Sequence, residues 1–153
     1  MFNKRAAYLP ICLDVRGKNC IVVGGGRVAE RKIKVLLSFG ANIKCLSTAF
    51  TTALVRLGGL KKIRLIKKRY PKNLSLKKYV LAVAATDDPC VNKKVAADSF
   101  RDRTLVNVAD KSAPGNFIMP AILKRKGLVV GVSTSGVSPA RAKSIRDRLA
   151  LNL

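Results

Sequence analysis

A short β-branched run, Cys20-Ile21-Val22-Val23, stops at Gly24-Gly25-Gly26, and a helical pattern starts directly behind the glycines. Strand, turn and helix in that order constrain the fold more than any other feature of the chain. Val28, Ala29, Ile33, Leu36 and Leu37 recur at roughly helical spacing, with Arg27, Glu30, Arg31, Lys32 and Lys34 between them and Gly40 as a stop. The apolar run Ile43 to Leu46 then completes a β-α-β unit of about thirty residues.

The alternation continues. Thr52 to Leu57 reads as helix, Ile63 to Ile66 as strand, and Tyr79 to Ala85 as a strand buried on both faces. Asp87-Asp88-Pro89 signals a helix start, with Val91, Val95, Ala96 and Phe100 on its apolar side, and Thr104 to Val108 is a further strand. The fold class is therefore α/β, a Rossmann-like doubly wound parallel sheet with right-handed crossovers, expected over residues 1–112. Residues 113–153 read differently. Phe117 to Leu123 and Leu128 to Val132 flank Lys124-Arg125-Lys126-Gly127 as a strand pair, and Ser138-Pro139 starts a last helix with Ala140, Ile145, Leu149 and Leu151 as a partial apolar face.

The chain has 31 Lys and Arg against 8 Asp and Glu, a net charge of +23 that attracts nucleic acid, anionic membrane or a heavily carboxylated small molecule. Nine basic residues and no acid lie between Lys61 and Lys78, and Lys124, Arg125, Lys126, Arg141, Lys143, Arg146 and Arg148 form a second group. A solvated face is the ordinary reading of such runs, and aromatic residues are too sparse for a base-stacking platform. Cys12, Cys20, Cys45 and Cys90 are far apart and histidine is absent, which argues against a zinc site and reads as four small buried hydrophobes. With no long apolar stretch and no signal-peptide run at the N-terminus, the expectation is a cytoplasmic protein with reduced thiols.

Gly24-x-Gly26-x-x-Ala29 is the dinucleotide fingerprint with alanine in the third place. The first glycine permits the turn, the second admits a pyrophosphate, and the amides of Arg27 and Val28 face its phosphates. A structural glycine turn is the alternative. No acid occurs between Glu30 and Asp87 to hold a ribose hydroxyl, so NAD and NADP both stay open. Among the acids, Asp14, Glu30, Asp98, Asp102 and Asp147 read as solvated surface, whereas Asp87, Asp88 and Asp110 follow strand ends, where ligands of open α/β sheets bind. Asp88 suits a helix N-cap. Asp110 precedes Lys111-Ser112-Ala113-Pro114-Gly115, with no helix to cap, and is the better candidate for general base, a turn-forming role being the alternative.

Tyr8-Leu9-Pro10-Ile11, Val22 to Lys32, Ala85-Thr86-Asp87-Asp88 with Asn92, Asn107-Val108-Ala109-Asp110, Phe117 to Ile122 and Ser133 to Pro139 occur in the order found in one family. The chain resembles the siroheme-synthase N-terminal module, the precorrin-2 dehydrogenase and sirohydrochlorin ferrochelatase family, over nearly its whole length. The resemblance implies NAD-dependent oxidation of precorrin-2 to sirohydrochlorin, with insertion of Fe²⁺ as a substrate in bifunctional members. Asp110 matches the family aspartate assigned to both activities. Thr48 and Ala49 match positions on the adenosine side of NAD, and Thr86 follows the strand bordering the nicotinamide. A homodimer joined through the segment after residue 113 is also implied, with a tetrapyrrole as substrate, while the sparse aromatics and the lack of a long apolar stretch lead us to expect neither specific nucleic acid nor membrane as partner. In two respects the chain departs from the family: residues 113–153 read as a shortened C-terminal part, and Ser135 stands where glycine is common. An octacarboxylate substrate gives the basic residues a purpose, and a lysine-rich compositional bias gives them none. The competing reading is a truncated relic or basic binding module that keeps the fold without turnover.

Overall fold

The computed structural model describes residues 8–110 and 113–152, so Lys111 and Ser112 of the loop after Asp110 lie outside the described residues. Leu13–Asn116 form one compact unit, and Phe117 to Asn152 with Tyr8 to Cys12 form a second.

In the first unit the elements run β1 (Asn19–Val23), α1 (Arg27–Ser38), β2 (Asn42–Ser47), α2 (Thr52–Gly59), β3 (Arg64–Lys67), β4 (Leu81–Ala84), α3 (Pro89–Arg101) and β5 (Leu105–Val108). The sheet order is β3-β2-β1-β4-β5, every pair parallel. Chain direction across the sheet reverses between β1 and β4, and the crevice above that reversal is where doubly wound sheets take ligands. Register sharpens this. Val23 pairs with Leu46 and with Ala84, and Ala84 with Val108, so four strands end in one row.

Both faces of the sheet are covered. Ile21, Val23, Leu46, Ala82, Ala84 and Val106 pack with Val95 of α3 and with Leu76 and Tyr79. Alternate residues, Cys20, Val22, Cys45 and Val83, are fully buried too, which is why these strands lack a polar stripe in sequence. Burial pushes the Cys20 thiol up to about 11 and the Cys45 thiol up to about 12. Cys12 and Cys90 correct the expectation of four buried cysteines: both are exposed, Cys90 in the first turn of α3.

Helix α3 departs from its expected apolar face. Phe100 is 46% exposed, and the buried side is Asn92, Val95, Ala96, Asp98 and Ser99. Asn92, Val95, Ala96 and Ser99 share the helical phase, and the polar ones are tolerated there because their hydrogen bonds are made, Ser99 Oγ donating to Val95 O at 2.7 Å. Val28 likewise is exposed, on the open first turn of α1.

The second unit holds β6 (Ala121–Arg125), β7 (Leu128–Val132) and α4 (Pro139–Asn152). The strands are antiparallel, Arg125 opposite Leu128, and both turn residues, Lys126 (φ 39°) and Gly127 (φ 83°), are left-handed as a two-residue hairpin requires. Strand β6 starts at Ala121 and not at Phe117. Helix α4 buries Ala142 and half-buries Ile145 one turn on, while Leu149 is 37% and Leu151 85% exposed, so only Ile145 of the apolar face expected from sequence lies on the packed side. Ser135 has φ 53°, a left-handed conformation that explains why glycine suits this position.

Candidate nucleotide and catalytic site

Three glycines at the end of β1 do three different things. Gly24 has φ 125°, its N donates to Leu46 O at 2.9 Å, and a Cβ there would lie 2.1 Å from Ala85 O. Gly25 is pressed against the next loop, a Cβ falling 1.9 Å from Ala49 O. At Gly26 a Cβ would meet nothing within 4 Å. Gly24 and Gly25 are therefore demanded by the fold, whereas the space at Gly26 is open. Gly26 is also the N-cap of α1, extended and without a side-chain cap. Arg27 and Val28 beside it are exposed residues whose amides have no acceptor within the helix, so the residues present fit a pyrophosphate.

The loop after β2 carries Thr48 and Ala49, both exposed, and is tied to the glycine turn. Thr51 N donates to Gly25 O at 3.0 Å, and Thr51 Oγ1 donates to Glu30 Oε2 at 2.7 Å. Lys34 Nζ reaches Glu30 Oε1 at 2.5 Å, and these two donors hold the Glu30 carboxyl below its ordinary value. Glu30 thus joins α1 to the cap of α2 and corrects its reading as solvated surface. From beneath, Cys45 Sγ donates to Gly24 O at 3.2 Å.

Across the switch point, Thr86 follows β4 and Asp110 follows β5. Buried Asn92 of α3 joins them. Thr86 N donates to Asn92 Oδ1 at 3.1 Å and Thr86 Oγ1 at 2.8 Å, while Asn92 Nδ2 donates to Thr86 O at 2.9 Å and to Asp110 Oδ2 at 2.8 Å. Asp110 itself is exposed. Asp88 is the N-cap of α3, accepting from Cys90 N and Val91 N, and Asp87 is exposed. The fingerprint pattern draws attention to neither Gly25 nor Asn92. Gly25 shows only as the middle of a glycine triplet, whereas Asn92 shows as a polar residue in the phase of the buried helix face and as part of the family motif after β4.

Lys32 of α1 donates from Nζ to Asn107 Oδ1 on β5 at 2.6 Å. Burial, with Arg31 nearby, lowers its ammonium from 10.5 to about 8. Between those values the unfolded chain binds more protons than the folded one, so this group makes stability rise with pH from about 8 toward 10.5. Lys32→Met lacks that contribution. Urea titrations at pH 7 and pH 10 are expected to show wild type gaining up to about 3 kcal/mol on the variant over the interval.

Asp98 and Asp102 also correct the surface reading. Asp98, 3% exposed, accepts from Tyr70 OH at 2.9 Å, Arg101 Nη1 at 2.9 Å and Lys94 Nζ at 3.3 Å. Asp102 accepts from Arg101 Nε at 3.0 Å and Leu76 N at 2.5 Å, contacts that pull it down to about 2. They pin the basic segment between β3 and β4 to α3, so that segment is not simply a solvated face. Asp98→Ala leaves the Tyr70 hydroxyl without its acceptor and empties a buried, hydrogen-bonded position, while the exposed Arg101 keeps Asp102, and a loss of about 1–3 kcal/mol in urea unfolding is expected.

A parallel sheet reversing between β1 and β4, a glycine turn at the reversal and an uncapped helix N-terminus define a Rossmann-like dinucleotide-binding domain. Residues 11–121 match the family described as "Putative NAD(P)-binding". Within that class, the chain belongs to the precorrin-2 dehydrogenase family. It is 37% identical to a siroheme synthase of Ruthia magnifica, covering 95% of this chain and 31% of that protein. To a siroheme synthase of Chromobacterium violaceum it is 41% identical over 93% of this chain and 30% of the relative. The chain thus spans about a third of the length of these relatives. The solved structure of SirC, precorrin-2 dehydrogenase, superposes with a TM-score of 0.81 at 32% identity, covering 95% of this chain and 71% of the other.

Proposed function

We propose that this chain oxidises precorrin-2 to sirohydrochlorin with NAD, and that Asp110 is the base. The observation that carries this reading is the common row of strand ends, which sets the glycine turn after β1 beside Thr86 after β4 and Asp110 after β5. When bound, NAD supplies the acceptor for a hydride leaving the saturated macrocycle. The chain does the rest. Gly26 with the amides of Arg27 and Val28 receives the pyrophosphate, Thr48 and Ala49 border the adenosine, Thr86 borders the nicotinamide, and the Asp110 carboxylate takes the proton lost with the hydride. A carboxylate at that position also suits the pyrrole protons released when Fe²⁺ enters sirohydrochlorin as a substrate, and ferrochelatase activity is the second half of the proposal.

The protein is read as a cytoplasmic homodimer. Support comes from four free cysteines and from Leu128 and Val129, which stay 46% and 48% exposed on a two-stranded sheet packed against α4. Among the described residues no helix is long and apolar enough to cross a membrane. The deciding experiment is an anaerobic assay of purified protein with precorrin-2 and NAD, following NADH and the sirohydrochlorin spectrum, with sedimentation at micromolar concentration alongside. Turnover by a dimer is expected. Absence of turnover, together with sirohydrochlorin displaced by duplex DNA, would leave the basic binding module instead.

A further inference from the structure

We infer that Asn92 is a positioning residue that sets the orientation of the Asp110 carboxylate. The inference rests on Asp110 being the base.

The amide orientation of Asn92 is fixed by its partners. Thr86 N has only a proton to give, so the atom facing it is Oδ1, and Thr86 O can only accept, so the atom facing it is Nδ2. It follows that an N–H, and not an oxygen, points at Asp110 Oδ2 at 2.8 Å. Both amide protons are engaged, and Oδ1 accepts from Thr86 N and lies 2.8 Å from the Thr86 hydroxyl, whose proton also has Asp88 O at 3.0 Å, so Thr86 meets both ends of the amide. The side chain is fully buried, so it acts on the reaction only through what it holds. Its backbone is fixed as well. Asn92 N donates to Asp88 O at 3.1 Å in the first turn of α3, directly behind the Asp88 cap.

Two consequences follow for Asp110. A rigid N–H on one carboxylate oxygen fixes the rotation of the group, and misplacement by about 1 Å is enough to lose on the order of 10²-fold in rate. A donor N–H facing that oxygen also matches a carboxylate, which has only acceptors to offer. The same amide clamps the exit of β4, so the residue bordering the nicotinamide and the base after β5 are set by one side chain on α3.

Asn92→Asp tests this. The shape is kept and the acceptor for Thr86 N survives, but a carboxylate oxygen now faces Asp110, and two such groups in contact do not both ionise readily. Expected is a fall in kcat of roughly 10- to 100-fold at pH 7, KM for precorrin-2 and NAD within about twofold of wild type, and an acidic limb of the pH–rate profile moved up by about one unit or more. Circular dichroism and NAD titration check the fold. Should Asn92→Asp not fold, Asn92→Ser is assayed in its place, being too short to reach Asp110 and expected to move the same limb upward by less. An acidic limb that stays put in a folded variant overturns the inference. Asp110→Asn is run beside it: near-normal turnover there overturns the base assignment itself, whereas a dead Asp110→Asn with an unmoved limb in the Asn92 variant overturns only the positioning role.

Discussion

Asp110→Ala is expected to reduce NADH formation from precorrin-2 by at least ~10²-fold, and toward 10⁴-fold if the carboxylate is the sole proton acceptor, while NAD affinity changes by less than about twofold. The two halves of that expectation come from separate parts of the site. Asp110 is on the loop after β5, and the glycine turn proposed to take the pyrophosphate follows β1, with β4 between them in the sheet. Removing an exposed carboxylate that accepts from Asn92 leaves the fold's core contacts unaltered, so a stable variant is expected. Single-turnover absorbance at 340 nm with purified variant, beside an NAD titration, reads both. Near-normal turnover would remove Asp110 from the reaction.

The fold is legible in the sequence wherever burial is two-sided. Leu81–Ala84 and Asn19–Val23 announce themselves because a strand covered on both faces has no polar alternation to confuse it with a helix. Legibility fails where polar residues are buried. Asn92, Asp98 and Ser99 sit on the packed side of α3 because partners elsewhere in the chain complete their hydrogen bonds, Tyr70 for Asp98 and Thr86 for Asn92. Periodicity scores residue types and is blind to such partners, so it put Phe100 inside. Helix α4 fails for a related reason: its buried residue is the small Ala142, which carries less weight than the exposed Leu149 and Leu151.

The candidate site divides the same way. Gly24, Gly26 and Asp110 are reachable from sequence, since each directly follows or closely trails an expected strand, and Thr86 is reachable through the family resemblance. Glu30 is not, because its partner Thr51 is on another element and nothing in the local pattern marks a helix glutamate as a tie between loops. Lys32 is similar. A lysine among Arg31, Lys34 and other charges reads as solvated, and only the tertiary fold brings its ammonium to Asn107 and lowers it to about 8.

The glycine turn carries the other large effect, and the three positions are expected to respond differently. Gly24→Ala places a Cβ 2.1 Å from a backbone oxygen of the neighbouring strand exit at a φ of 125°, and Gly25→Ala places one 1.9 Å from Ala49 O, so neither side chain is accommodated without moving backbone. Both variants are expected to lose stability along with activity, which makes their inactivity uninformative about the cofactor. Gly26→Asp is the clean test. Its Cβ meets no protein atom within 4 Å, and an aspartate at an N-cap is favourable to a helix, so the variant is expected to unfold at or above the wild-type urea concentration. The same carboxylate, however, fills the space left for the pyrophosphate and satisfies the first-turn amides that would bind it. NAD binding and dehydrogenation are therefore expected to fall by at least ~10²-fold in a protein that is no less stable, a loss of roughly 3 kcal/mol in binding free energy. Metal insertion needs no nicotinamide, so sirohydrochlorin supplied directly to Gly26→Asp should be metallated at the wild-type rate if the chain is a chelatase. Retained NAD affinity in a folded Gly26→Asp protein would show that the turn after β1 is a structural glycine turn and not the pyrophosphate site.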